Sequence, residues 1–225
     1  MSSKIFNQDN GLMRALSKIF DMCFLSLIYM VFCLPIITIG AASTSMYYVS
    51  AKVLRHNRSY VWREFWSSFK TNFKQSTIIW FFTLLIGVIL YLNMMLMATS
   101  VNAKYKDFLV GAYFALGLII FLITMYVFPI LSRLDMKISH LLRLSLYVAF
   151  RHILHTLAIL AMYLLAATVI YFGVAWRIVV VVIFIPGLTG FLITYPMEHV
   201  LKKYMPKKEP RYTEDGEEIV EWYNE

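Results

Sequence analysis

The stretch Cys33-Leu34-Pro35-Ile36-Ile37-Thr38-Ile39-Gly40 decides how this chain folds. It lies inside a long apolar run, where a continuous helix is the default. Pro35 has no backbone N–H and pushes the residue before it out of the α region. Gly40 accepts almost any φ, and Thr38 can donate to a carbonyl that a break sets free. The octet therefore predicts an interrupted helix at membrane depth, which is tolerated only where protein or a watery cavity covers the freed backbone groups. Such a break is either a packing kink, with a helix end near the headgroups, or a binding or gating point.

The surroundings of the octet set its environment. Of the 225 residues, 60% are hydrophobic and 15% charged, with a mean hydropathy of +0.67. Soluble domains are closer to about half apolar and a quarter charged, so the length here is taken up by membrane spans of roughly 20 residues each. About five apolar segments can be read, at 22–49 (broken at the octet), 77–98, 108–131, 153–172 and 178–197. The expected fold is all-α, a polytopic transmembrane helix bundle over 1–201 with a charged cytoplasmic tail over 202–225. The first segment is long for one span and short for two. It is either one tilted span or a span followed by a returning half-helix at 41–54. Asp9 and Asp21 interrupt residues 1–21, which do not read as a signal peptide.

Basic amphipathic stretches separate the spans. Leu12, Met13, Leu16, Ile19 and Phe20 share one helical face. Phe65, Trp66, Phe69 and Phe73 share another, with Lys70 and Lys74 between them, and 137–151 repeats the pattern. These are expected to lie as interfacial helices at the headgroups. The net charge is +8, and Glu214, Asp215, Glu217, Glu218, Glu221 and Glu225 are all in the tail. Without those six carboxylates residues 1–213 carry +14. Lys and Arg number six in 50–76, four in 132–152 and five in 202–211, against two in 100–107 and one in 173–177. By the positive-inside rule the three basic regions are cytoplasmic and face a bilayer with anionic headgroups. A re-entrant first segment would place Lys4, Arg14 and Lys18 on that side too, whereas five full spans would place them opposite. Nucleic acid is not an expected partner, because the basic residues sit in short loops between apolar spans.

Candidate site residues come from further interruptions of the apolar runs. Residues 125–132 resemble 30–38 with one gap, which brings in Pro129, and Ile185-Pro186-Gly187-Leu188-Thr189-Gly190 is a looser third copy. Transporters are often built from repeats with binding sites at discontinuous helices. Pro35, Thr38, Gly40, Pro129, Pro186, Gly187 and Gly190 are therefore read as helix breaks and candidate binding positions, together with Asn93, the strong polar residue of 77–98. Asn in a span usually bonds across a helix interface. Gly111 and Ala115 form a small-xxx-small pair that would let helices approach closely.

Chemical motifs are sparse. The chain has no G-x-x-x-x-G-K-[ST], G-x-S-x-G, H-E-x-x-H or C-x-x-C, and no cofactor or metal is expected. Cys23 and Cys33 lie ten apart in one apolar segment and read as packing residues. His152 and His155 share a helical face without a third ligand, which suits interfacial polar residues better than a metal site. Glu198 and His199 are adjacent, so they do not face each other. Arg133 and Asp135 are expected to pair with neighbouring helices or lipid phosphates. No carboxylate lies deep in a span, which argues against an ion-driven carrier.

The runs Leu34-Pro35-Ile36-Ile37-Thr38-Ile39-Gly40-Ala41-Ala42, 126–135 and Phe69-Lys70-Thr71-Asn72-Phe73-Lys74-Gln75-Ser76-Thr77 resemble the YesL-like family of bacterial multi-pass membrane proteins, a family of unknown function. The resemblance extends over about residues 13–203. It implies a protein of the bacterial cytoplasmic membrane, commonly encoded beside carbohydrate ABC-transporter and two-component sensor genes. It supplies no catalytic residues. The resulting expectation is a non-enzymatic accessory or interaction protein linked to carbohydrate uptake, with ABC-transporter subunits as partners. The alternative is a small-solute permease whose site lies at the broken helices. In the tail, Ile219, Trp222 and Tyr223 suit docking onto a basic groove of a partner, and a solvated, disordered tail is the plainer alternative.

Overall fold

A computed structural model describes residues 11–56, 59–100, 103–205, 211–212 and 218–219. The protein is an all-α bundle. Its helices are α1 (Gly11–Cys33), α2 (Ile39–Val49), α3 (Val61–Ser100), α4 (Ala103–Leu131), α5 (Ile138–Arg151), α6 (Ile153–Ala175) and α7 (Val179–Leu201). A 3-10 turn (Ile36–Thr38) joins α1 to α2, and α2 runs on as a π-helix (Ser50–Arg55). Beyond the helices, β1 (Arg211–Tyr212) pairs antiparallel with β2 (Glu218–Ile219), so the tail position Ile219 faces Arg211 in a short ribbon. Trp222 and Tyr223 lie outside the described residues.

Among the described residues four helices are long and apolar enough to cross a membrane, with spans at Leu16–Cys33, Val61–Met97, Tyr105–Leu131 and Ile153–Ala175. α7 is a fifth long helix, packed between α1 and α6. In the most apolar 18-residue stretch of α3 only 6% of the residues are buried, and its outer face is built from Phe81, Phe82, Leu85, Ile89 and Leu92. An apolar exterior of this extent has no place in water; it is the lipid-facing surface of a membrane helix bundle.

The octet breaks the first segment at Pro35, whose ψ of 118° is extended. Tyr29 Oη and Ser43 Oγ lie 3.3 Å apart, seven residues to either side of Ile36, so α2 folds back along α1. Of the two arrangements open from sequence, the structure has the helix followed by a returning half-helix. Two donors take up the freed carbonyls: Thr38 Oγ1 donates to Phe32 O at 2.5 Å and to Pro35 O at 2.7 Å, and Trp80 Nε1 donates to Ile36 O at 2.7 Å. The break is not buried as a whole. Leu34, Pro35, Ile36 and Ile37 are exposed, and burial begins at Gly40. There the backbone of α2 sits against Ser76, Trp80 and Phe128, and a Cβ would stand 2.7 Å from Ser76 O.

Pro129 and Pro186 do not break their helices: α4 runs through Pro129, and α7 through Pro186 and Pro196. At Pro186 a neighbouring helix packs against the turn. A proline ring disturbs the hydrogen bonds of the turn around it, and the N–H of Gly187 is taken by Ser26 Oγ of α1 at 2.6 Å. Gly187 has no room for a side chain, because a Cβ would collide with Met22 O and Ser26 Oγ. The stretch read as an interfacial helix at 65–73 is instead the first part of α3, continuous with the span. Phe65 and Phe69 of that part are buried against Phe32, with ring centroids 5.3 and 4.8 Å away. Gly111 and Ala115 are both exposed, and a Cβ on Gly111 would touch nothing within 4 Å, so this pair seats no neighbouring helix among the described residues.

Candidate functional site

A cavity of about 500 Å³ lies between α1, α2, α3, α4, α6 and α7. The proline and glycine signals converge on it: Pro129, Pro186 and Gly190 line its wall. Gly187 is one residue away in the α1–α7 contact. Gly40, Thr38 and Pro35 stand outside the lining, where Gly40 packs against the lining residues Trp80 and Phe128. Asn93 is apart from all of these. It lies far along α3 and its Nδ2 donates to Ile89 O at 2.8 Å within its own helix. It therefore makes a local bond where a cross-helix bond was expected.

The lining is mostly apolar, with Trp80, Phe121, Phe128, Met125 and Ile193 alongside a set of hydroxyls from Tyr29, Ser43, Tyr47, Thr124, Tyr163 and Thr189. Thr124 Oγ1 donates to Ile120 O at 2.8 Å and Thr189 Oγ1 to Ile185 O at 2.7 Å. A hydroxyl that spends its proton on its own helix still has oxygen lone pairs to offer. The cavity thus presents aromatic faces and hydrogen-bond acceptors, without a net charge in its wall. A volume of this size falls within the roughly 300–1,000 Å³ range of small-molecule pockets.

Below the cavity a buried polar cluster ties three parts of the chain together. Tyr47, whose ring lines the cavity, donates its hydroxyl to Glu198 Oε1 at 2.8 Å. Arg133 Nε donates to the same oxygen at 2.9 Å, and Arg133 Nη2 also pairs with it. Both side chains of the ion pair are only 2% exposed. The cluster joins α2, the turn after α4 and the last turns of α7. It also shows that the ends of α4 and α7 lie at one end of the bundle. Close by, Arg55 Nη1 donates to Thr194 O at 3.0 Å, and Lys52 Nζ pairs with Glu64 at 2.8 Å. The basic regions flanking the spans therefore meet around this end.

The sequence reading missed this cluster. Arg133 does pair with a neighbouring helix, but its partner was unassigned, and Glu198 was set aside with His199 because adjacent residues diverge. They do diverge: Glu198 turns inward to Arg133, whereas His199 turns outward and its ring stacks on His155 at 5.4 Å. The available signal was a lone carboxylate within an otherwise largely apolar helix, Glu198 being the one acidic residue of 178–201. Among the described residues no group of three His, Cys, Asp or Glu could hold a metal ion.

No curated protein and no solved structure matches the chain. The family model described as "Protein of unknown function, DUF624" matches residues 22–94, about a third of the chain, which takes in the second half of α1, the break, α2 and α3 as far as Met94.

Proposed function

We propose that this membrane protein is a non-enzymatic binding protein that holds an uncharged, largely apolar small molecule in the central cavity. The observation that carries this reading is the lining itself, with Pro129, Pro186 and Gly190 from two helices facing aromatic rings and acceptor hydroxyls. A charged solute would meet no counter-charge there, since Arg133 and Glu198 neutralise each other below. The hydroxyls of Thr124 and Thr189 bond their own helices and have no base beside them, which suits holding a ligand better than reacting with it. The alternative of the sequence reading is a small-solute permease with its site at the broken helices; the present reading keeps a small-molecule site and leaves out transport.

An accessory role in carbohydrate uptake, with carbohydrate ABC-transporter subunits as partners, is supported by the resemblance to the YesL-like proteins of bacterial cytoplasmic membranes. The basic end of the bundle is then cytoplasmic, and the amphipathic α5 with Arg143, Tyr147 and Arg151 offers the contact surface there. Single cysteines in 132–137 that resist an impermeant thiol reagent in intact cells would support that orientation, and labelling from outside would reverse it.

The binding reading is tested by filling the cavity. Ala166 lines it, and Ala166→Trp would occupy much of the space. Protein extracted from native membranes is compared with this variant by mass spectrometry of its extracted small molecules. A molecule retained by the wild type and lost by a folded Ala166→Trp is the expected result. Identical small-molecule content in both refutes the reading.

A further inference from the structure

A second cluster lies where α5 turns into α6, outside the cavity. His152 occupies that turn, His155 is on the first turn of α6, and His199 comes from the end of α7. The ring centroids of His152 and His155 are 5.9 Å apart and nearly perpendicular, and those of His155 and His199 are 5.4 Å apart and nearly parallel. His152 Nε2 lies 3.1 Å from Tyr204 Oη, and the Tyr204 ring meets Tyr147 edge-on. The bases Lys203, His155, Arg151 and His199 act on His152, and the Tyr204 phenol stands beside its ring. Glu198, beside His199 in sequence, is committed to Arg133 and Tyr47 on the inner side. His199, Arg151 and Lys203 are exposed, and His152 and His155 are half-buried.

We propose that this cluster binds the phosphate of an anionic phospholipid and fills as its imidazoles take up protons. Three rings this close repel one another as they become cationic, and an anion between or beside them relieves that repulsion. A lipid is the source that fits, because the residues next to the cluster, Ile153, Leu154 and Leu157, are exposed and apolar and belong to the α6 span. The headgroup phosphate then meets the bases while an acyl chain follows α6 into the bilayer.

The test uses the full chain in nanodiscs of phosphatidylcholine, with and without phosphatidylglycerol. Histidine ring titrations are followed by NMR, and affinity is measured with a fluorescent short-chain phosphatidylglycerol at about pH 5.5 and about pH 8, on either side of the usual imidazole range. Phosphatidylglycerol is expected to raise the midpoints of His152, His155 and His199 together and to bind more tightly at the lower pH. His199→Gln and Lys203→Gln are each expected to weaken binding by about fivefold at that pH, the effect of one basic residue at an anionic surface. His140→Gln, at the far end of α5, is expected to leave it unchanged. Binding indifferent to pH and to both variants overturns the proposal. So does inorganic phosphate that moves the three midpoints in phosphatidylcholine discs as far as phosphatidylglycerol does.

Discussion

Replacing Glu198 by Ala should be one of the most damaging single changes in this protein. The carboxylate accepts from Arg133 Nε at 2.9 Å and from Tyr47 Oη at 2.8 Å, and the two charged side chains are 2% exposed. Removing it strands a guanidinium in a low-dielectric interior. Breaking a buried pair by deleting one partner costs about 3–5 kcal/mol. The Tyr47 hydroxyl also loses its acceptor, and an unsatisfied buried hydroxyl costs about 1–3 kcal/mol, part of which local relaxation recovers. Together the two costs come to about 4–8 kcal/mol before relaxation; for a chain of this length each kcal/mol moves Tm by roughly 2–4 °C, so Glu198→Ala should lower Tm by roughly 8–30 °C. The double variant Arg133→Met/Glu198→Met removes both charges and fills the space with apolar atoms. It should recover most of the loss, because buried pairs exchanged for apolar side chains are often near neutral. The assay is thermal unfolding in lipid nanodiscs, with the two single variants and the double variant forming a cycle. Single variants that each cost under about 1 kcal/mol, or a double variant that costs the sum of the two, would refute a buried, coupled pair.

Gly40→Leu should abolish or cripple folding, since a Cβ would stand 2.7 Å from both Ser76 O and Trp80 Cβ, whereas Gly87→Leu, with nothing within 4 Å, should be nearly silent; equal melting of the two in detergent contradicts the contact. Ser26→Ala removes the acceptor for Gly187 N–H beside Pro186 and should cost about 1–3 kcal/mol in the same assay. His152 is held below its ordinary range, first by partial desolvation and then by the neighbouring bases Lys203, His155, Arg151 and His199. The folded state therefore binds fewer protons than the unfolded one as pH falls through the ordinary imidazole range, and stability in phosphatidylcholine nanodiscs should decline there with falling pH. Flat stability across that window, or a rise, would contradict it.

Composition and periodicity determine the membrane helix bundle, because an apolar run of membrane length must satisfy its backbone internally whatever its neighbours are. The break at Pro35 is equally local: a missing N–H and a steric clash need no tertiary partner. What each proline does within its helix is not local. Pro186 resembles Pro35 in sequence, yet α7 continues through it, packed on α1 where Ser26, 161 residues away, accepts the Gly187 N–H. The same holds for the site. Proline and glycine signals marked Pro129, Pro186 and Gly190 as a group, but only the packing of six helices makes them one wall of a cavity. Glu198 and Arg133 lie 65 residues apart and read separately as interfacial charges. Their meeting, with Tyr47 as the third member, is decided by how α2 and α7 cross, and a charge pattern along one chain contains no term for that distance.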